Sequence, residues 1–352
     1  MKTYRVGIVG LTGIAAAPPD APPQDSPLRE PMPPSHAAAY AVLPQTRVVA
    51  VCDLKAELLD RFRLDWQHVW ADVHTYTDYR EMIAHESLDV LSVVTSDHCH
   101  ADIVVDAANA GIKGILCEKP IATTLADADR MIEAVERNGA VMTVEHTRRW
   151  HPLYHQARAL VRQGDIGELR VIVAHLGGPR AMLFRNGTHL IDMICFFAES
   201  EPAWVFAELD PGFEDYFEYR GDGGRDPAGD PGGSGYIHFR NGVRAFVNCR
   251  RGTCKGFELE LIGTDGEVFV GNEAAELWTK DAQGRLGGRF LVPPLYMKSH
   301  ILGAVEELIH LMEHGGTGIS TGHDGRRALE IIIGFLTSQK QGNARVELPL
   351  PR

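Results

Sequence analysis

The sequence lacks the features that mark several classes of protein. Its six cysteines form no Cys-x-x-Cys pair, which argues against a zinc module and favours reduced thiols in a cytoplasmic protein. No apolar run approaches the length of a membrane span, and the N-terminus has no signal-peptide pattern. Lysine and arginine number 35 against 47 aspartates and glutamates, and the net charge of −12 argues against nucleic acid or an anionic membrane as partner.

The pattern of apolar residues predicts two domains in this chain of 352 residues. Residues 1–146 alternate short β-branched runs with segments of helical period, which predicts an α/β domain with a doubly wound parallel sheet of the Rossmann type. Residues 147–352 contain strands with tight turns and end in two helical segments, which predicts an α+β domain with a large, mostly antiparallel sheet.

Two segments differ in composition from the rest of the chain. Residues 16–35 hold eight prolines, which excludes regular structure and favours an extended loop. Residues 210–235 are rich in glycine, aspartate and proline. Long loops of this kind are either functional lids or disordered inserts, and both alternatives remain open.

The first predicted strand ends in an incomplete dinucleotide-binding fingerprint. The pattern G-x-G-x-x-G/A falls on Gly10, Thr12 and Ala15, so its middle glycine is missing, although Gly13 stands beside it. Asp53 ends the second strand 43 residues after Gly10, whereas a ribose-binding acid is expected about 20 residues on. Removing the proline-rich insert restores that spacing. An acid here repels a 2′-phosphate, so NAD is favoured over NADP; a turn or helix-capping aspartate is the alternative.

Polar residues follow two later strands at the sheet edge where α/β proteins bind ligands. Thr95 and Ser96 suit contact with a cofactor, whereas His100 could also cap or pack the next helix. A buried lysine such as Lys119 is easily tuned to act as an acid, a base or an anchor for a hydroxyl. No metal site is predicted, because His98 and His100 have no third partner at metal spacing. The candidate cofactor-binding residues are Gly10, Thr12, Gly13, Asp53, Thr95, Ser96, His100, Glu118 and Lys119.

Several motifs follow one another in a characteristic order. They are the fingerprint with Val49–Asp53, then Ala110–Pro120, then Arg148–Pro152 with Gly164–Gly167, and finally Gly187–Asp192 and Ile262–Gly266. Together they resemble the glucose–fructose oxidoreductase/inositol dehydrogenase family (Gfo/Idh/MocA), and the resemblance covers nearly the whole chain apart from the two inserts.

This resemblance implies an NAD(P)-dependent dehydrogenase of a sugar, sugar acid or cyclitol, in which the second domain's open sheet often packs in homodimers or homotetramers. It implies that Lys119 and His189 are catalytic and that Arg149 lines the substrate pocket. Histidine titrates near neutrality, which suits a base that takes the hydroxyl proton. A neighbouring ammonium lowers the pKa of the substrate hydroxyl and holds its oxygen in place.

The chain departs from the family pattern four residues before His189. Arg185 stands where many members carry an aspartate that orients the histidine, and an arginine cannot accept the imidazole N–H. Asp192, one turn further on, could partly substitute or could form a local salt bridge. Arg185 with Arg180 could instead recognise a carboxylate, sulfate or phosphate. The candidate substrate-binding residues are therefore Arg149, Arg185 and Asp192.

Two other functions remain open at this stage. The chain could retain its NAD and use transient oxidation for glycoside cleavage or for redox transfer between two sugars, as some relatives do. Alternatively, the degraded fingerprint and the missing aspartate allow a non-catalytic NAD-binding protein, although the presence of both Lys119 and His189 argues against it.

Overall fold

The computed structural model describes residues 2–18, 33–219, 221, 229–254, 256–292 and 300–351. The chain forms two units, Met1–Thr147 with Leu295–Gly325 and Arg148–Pro294 with Arg326–Arg352. The first unit is thus discontinuous in sequence, because Leu295–Gly325 returns to it, and the domain boundary at residue 146 stays a prediction. Most of the 16–35 insert and the centre of the 210–235 loop lie outside the described residues.

The first unit contains a parallel sheet, which confirms the predicted doubly wound α/β domain. Its described strands run in the order β3-β2-β1-β4-β5-β6, and the order reverses next to β1, where such sheets bind ligands. The strands are β1 (Tyr4–Val9), β2 (Thr46–Cys52), β3 (His74–Tyr76), β4 (Val90–Val93), β5 (Gly114–Cys117) and β6 (Val141–Val144). The helices between them are α1 (His36–Val42), α2 (Ala56–Trp66), α3 (Tyr79–His85), α4 (His100–Asn109) and α5 (Leu125–Arg137).

The second unit contains a mostly antiparallel sheet, as predicted. Its described strands run in the order β14-β13-β12-β11-β7-β10-β9-β8-β15, and β7 pairs with β10 in parallel. The strands are β7 (Leu169–Leu176), β8 (Pro202–Leu209), β9 (Gly233–Phe239), β10 (Arg244–Cys249), β11 (Phe257–Gly263), β12 (Gly266–Gly271), β13 (Ala275–Lys280), β14 (Leu286–Phe290) and β15 (Val346–Glu347). The remaining α-helices of the described residues are α6 (Pro152–Gln163), α7 (Thr188–Ala198), α8 (His300–His314) and α9 (Gly322–Lys340).

Helix α8 belongs to the first unit because its apolar face covers β5 and β6. Gly114 makes this contact possible, since a Cβ there would lie 2.4 Å from the sulfur of Met312. The hydroxyl of Tyr4 also donates to Glu313 at 2.9 Å. Helical periodicity predicts that α8 has an apolar face but not which sheet that face covers.

The proline-rich insert leaves and rejoins the first unit at one place. The hydroxyl of Ser35 donates to the Ala17 carbonyl oxygen at 2.6 Å and also accepts from the Ala38 N–H at 3.1 Å. Ser35 is therefore the N-cap of α1, as expected from its sequence position. Because its two ends meet, the insert adds chain length between Gly10 and Asp53 without displacing α1.

Among the described residues, no helix is both long and apolar enough to cross a membrane. Four of the six cysteines, Cys52, Cys117, Cys195 and Cys249, are buried.

Candidate active site

The loop after β1 has the shape of a dinucleotide-binding turn despite its altered sequence. Gly10 has φ +88°, and a Cβ there would lie 2.4 Å from the Val94 carbonyl oxygen, so glycine is required. Thr12 replaces the second glycine of the fingerprint and is exposed. Gly13, at φ +55°, has no other atom within 4 Å of its Cβ position. The backbone is therefore open to a ligand at Gly13.

Asp53 holds this loop and keeps capacity for a ligand. Its Oδ2 accepts from the Leu11 N–H at 2.9 Å, and its Oδ1 accepts from the Lys55 N–H at 3.0 Å. The side chain is half-buried, and each carboxylate oxygen can accept a further hydrogen bond. A crowded glycine, an open backbone and an acid with remaining acceptor capacity together fit the pyrophosphate and ribose of a dinucleotide.

The residues after β4 lie beside the loop after β5. Thr95 and Ser96 are half-buried, whereas His100 is fully buried. His100 Nδ1 lies 3.0 Å from the Pro120 carbonyl oxygen, and its Nε2 lies 3.2 Å from that of Thr95. His100 therefore ties the two loops together, which favours the packing alternative over contact with a cofactor.

Glu118 and Lys119 lie at the carboxyl end of β5, and both are buried. Glu118 accepts from His36 Nε2 at 3.2 Å and from the Lys119 backbone N–H at 3.2 Å. Burial raises the pKa of Glu118, but the His36 hydrogen bond and the Lys119 charge outweigh it and lower the pKa to about 2. Glu118 is therefore an ionised carboxylate beside the predicted catalytic lysine.

A buried polar network continues behind Glu118. His36 Nδ1 lies 3.1 Å from the Ser92 hydroxyl, which lies 2.7 Å from the Tyr40 hydroxyl. Donation can run in one direction, from Tyr40 to Ser92, from Ser92 to His36 and from His36 to Glu118. No local pattern indicates the role of His36, because His36 and Glu118 are 82 residues apart in the sequence.

In the second unit, two predicted substrate-binding residues pair with each other. Arg149 Nε donates to both oxygens of Asp192, at 3.0 and 2.9 Å, and a terminal nitrogen donates to Oδ1 at 2.8 Å. Arg149 lies in the short 3-10 turn Thr147–Trp150. All residues of α7, including Asp192, are buried, so a charge on this helix requires a partner.

His189 lies in the first turn of α7, directly after a π-helical turn, Leu183–Gly187. The carboxylate of Asp230 holds that turn by accepting from the N–H groups of Phe184 at 3.1 Å and Arg185 at 2.8 Å. His189 is only 7% exposed, and Arg185 is half-buried. Single π-turns of this kind occur frequently at functional sites.

The described ends of the 210–235 loop pack on this turn. Tyr219 stacks on Phe184 with 3.9 Å between the ring centroids, and the Leu183 N–H donates to the Pro231 carbonyl oxygen at 2.8 Å. Asp230 carries no local signal of this role in the sequence, since it lies in a Gly/Asp/Pro-rich loop 45 residues away from Arg185.

A Rossmann-type nucleotide-binding unit joined to a separate sheet unit defines a two-domain dinucleotide-binding protein. Two family models match the chain. One is described as an oxidoreductase family with an NAD-binding Rossmann fold and matches residues 4–146. The other is described as the GFO/IDH/MocA C-terminal domain and matches residues 154–269. The chain belongs to the Gfo/Idh/MocA family of NAD-binding oxidoreductases, as the order of its motifs indicates.

Known relatives of the chain include dehydrogenases of cyclitols and sugars. Inositol 2-dehydrogenase of Salmonella typhimurium is 36% identical over 126 residues, so the match spans 34% of this chain and 35% of that protein. Myo-inositol 2-dehydrogenase of Thermotoga maritima is 25% identical over 349 residues, 94% of each chain. The solved structure of levoglucosan dehydrogenase in complex with NADH has a TM-score of 0.79 at 20% identity, and the match covers 99% of this chain and 100% of that one. This last likeness concerns the fold.

Proposed function

We propose that the protein is an NAD-dependent dehydrogenase that oxidises a secondary hydroxyl of a sugar, sugar acid or cyclitol. The observation that carries this proposal is the buried Lys119 at the carboxyl end of β5, on the same sheet edge as the loop of Gly10 and Asp53. The named activities of the relatives support the substrate class.

Asp53, Gly13 and the residues after β4 and β5 would hold the dinucleotide. When bound, NAD supplies the acceptor for the hydride of the substrate carbon. Lys119 would anchor the substrate oxygen and lower the pKa of its hydroxyl, because an ammonium in a buried setting stabilises developing negative charge. The positive charge of Lys119 in turn lowers the pKa of the neighbouring Glu118 carboxyl group.

His189 would take the hydroxyl proton, in the role that histidine commonly fills near neutral pH. No aspartate precedes it at the family's usual position, so its orientation would come from the π-helical turn that Asp230 holds. Arg185 lies on that turn and is proposed to contact an acidic group of the substrate. The pairing of Arg149 with Asp192 favours a supporting role for both over direct substrate contact.

The test is a panel of polyols with NAD, including myo-inositol, scyllo-inositol, D-apiose and levoglucosan, the substrates named in relatives. NADH accumulation with at least one of them and no comparable rate with NADP supports the proposal. Product formation without NADH indicates an enzyme that retains its NAD. Calorimetric binding of NAD without any turnover across the panel would overturn the proposed activity.

The second unit also supports a homodimer or homotetramer. On one face of its sheet, Tyr236 lies within 5.3 Å of both Phe206 and Phe246, measured between ring centroids. These two phenylalanines are 41% and 48% exposed, and a contiguous exposed aromatic surface of this kind marks an interface. Light scattering should give a multiple of the chain mass, and the double variant Phe206→Glu/Phe246→Glu should give the monomer. A wild-type monomer at micromolar concentration would refute the oligomer. The cytoplasmic location stays a prediction.

A further inference from the structure

Glu145 is a second buried glutamate beside Lys119 that the proposed function does not use. It is the first residue after β6, as Glu118 is the first residue after β5. Cys117 pairs with Val144 in the parallel register, and the Glu145 N–H donates to the Cys117 carbonyl oxygen at 2.8 Å. The two carboxyl groups therefore leave neighbouring strands at the same level, and such strands lie only about 4.8 Å apart.

The two glutamates differ in their hydrogen bonds. Both oxygens of Glu118 accept hydrogen bonds, one from His36 and one from the Lys119 N–H. Glu145 has 0% exposure, and neither of its oxygens has a hydrogen-bond partner among the described residues. An ionised carboxylate cannot be held in this way, because burial without donors and a like charge alongside both disfavour its negative charge.

We propose that Glu118 and Glu145 are a buried carboxyl pair that holds one proton, carried by Glu145, and that Glu145 is a positioning residue for Lys119. The inference rests on the proposed function in one respect, the role of Lys119. With Glu145 uncharged, the single charge of Glu118 balances the ammonium. A second carboxylate would make this corner of the site negative and would oppose the negative charge that develops on the substrate oxygen.

The surroundings of Glu145 agree with an uncharged acid. Burial raises the pKa of Glu145 well above its ordinary value, Glu118 raises it further, and Lys119 acts in the opposite direction. The titratable side chains of the elements around it are His36 and Tyr40 of α1, Glu118 and Lys119 after β5, Asp127, Asp129, Arg130, Glu133, Glu136 and Arg137 of α5, His300, Glu306, Glu307, His310, Glu313 and His314 of α8, and the adjacent His146. Of these, Glu118 and Lys119 are the ones whose charges act on Glu145.

The pair predicts opposite pH dependences of stability for two matched variants. The folded chain keeps the Glu145 proton, whereas the unfolded chain loses it above its ordinary pKa of 4.5, so Glu145 weakens the fold as the pH rises through that value. Glu145→Gln should therefore gain stability over wild type above pH 4.5, and the gain should grow with pH. Glu118 has a pKa of about 2 in the folded chain, below its ordinary 4.5. Its charge therefore stabilises the fold above pH 4.5, and this stabilisation is lost as the pH falls towards 2. Glu118→Gln should lose stability, and the loss should shrink as the pH falls towards 2.

The experiment is urea unfolding of wild type, Glu145→Gln, Glu118→Gln and the exposed control Glu133→Gln between pH 3 and 8, a range chosen around the 4.5 value. The pair is supported if the urea midpoint of Glu145→Gln rises above that of wild type and that of Glu118→Gln falls below it, with both differences growing as the pH rises. The midpoint of Glu133→Gln should show no such trend. A pH-independent shift for Glu145→Gln, or a loss that grows with pH, would overturn it.

The positioning role has a separate measurement. In wild type, kcat should decline as rising pH ionises Glu145, while KM for the polyol stays nearly constant; Glu145→Gln should lack that decline. An identical decline with rising pH in both proteins would refute the positioning role. If wild type shows no dehydrogenase activity, the proposed function and with it the positioning role are refuted, whereas the unfolding curves still decide whether the carboxyl pair holds one proton.

Discussion

The two units bury charge in different ways. In the second unit, Arg149 and Asp192 have opposite charges and satisfy each other through three hydrogen bonds of 2.8 to 3.0 Å. In the first unit, Glu118 and Glu145 are like groups, and Glu145 has no hydrogen-bond partner among the described residues. The first arrangement fixes a structure, whereas the second leaves a group whose charge state can respond to its surroundings. Perturbed titratable groups of the second kind are typical of functional sites.

Breaking the Arg149–Asp192 pair should have the largest effect on stability. Asp192→Ala leaves the buried guanidinium without its carboxylate, and we expect a loss of about 3–5 kcal/mol in the free energy of unfolding. Urea denaturation measures it, with the exposed Asp165→Ala as a control that should stay within about 0.5 kcal/mol. The double variant Arg149→Met/Asp192→Leu should recover much of the loss. A loss of under 1 kcal/mol for Asp192→Ala would show that the pair behaves like a surface salt bridge.

Replacing Lys119 in the first unit should affect catalysis more than stability. Lys119→Met removes the cation proposed to stabilise the substrate oxygen, and we expect kcat to fall about 10²–10³-fold. Lys113→Met, which changes an exposed lysine in the same unit, should keep wild-type kinetics. Steady-state NADH formation gives the comparison. Equal activity of the two variants would remove Lys119 from the proposed mechanism.

The polar network behind Glu118 should contribute a smaller amount. Ser92→Ala removes the hydroxyl that lies between His36 and Tyr40, and leaving buried polar groups unpaired should cost about 1–3 kcal/mol. Tyr40→Phe, which removes only the terminal hydroxyl, should cost less, about 0.5–1.5 kcal/mol. Thermal or urea unfolding of both variants tests this order. If Tyr40→Phe were the more damaging change, the direction of donation in the network would have to be reversed.

The sequence predicts those parts of the fold and site that local patterns determine. The apolar runs that end at Cys52 and Cys117 predict β2 and β5, and the N-cap position of Ser35 predicts the start of α1. It does not predict the edge strands β3, β14 and β15, of which β3 and β15 are short and β14 is exposed throughout, nor the neighbouring strand β13. Nor does it predict the π-helical turn before α7, because the carboxylate that accepts from two N–H groups of this turn belongs to Asp230, far away in sequence.

The candidate site shows the same division. Gly10, Asp53 and Lys119 follow strands, and the sequence places them at one sheet edge because parallel strands end together. The partners of Glu118, Asp192 and His100 depend on tertiary contacts, and no spacing rule indicates them. The pairing of Arg149 with Asp192 is the clearest example, since no spacing rule relates the two residues, and their contact with substrate stays a prediction.

The stoichiometry of cofactor reduction tests the central claim most directly. Wild-type protein is incubated with NAD and the best substrate of the polyol panel, and NADH formed is compared with substrate consumed. The proposed dehydrogenase should form one NADH for each hydroxyl oxidised, and Lys119→Met should greatly slow both quantities together. Substrate consumption without equivalent NADH, or NAD binding with no consumption of any polyol, would contradict the account.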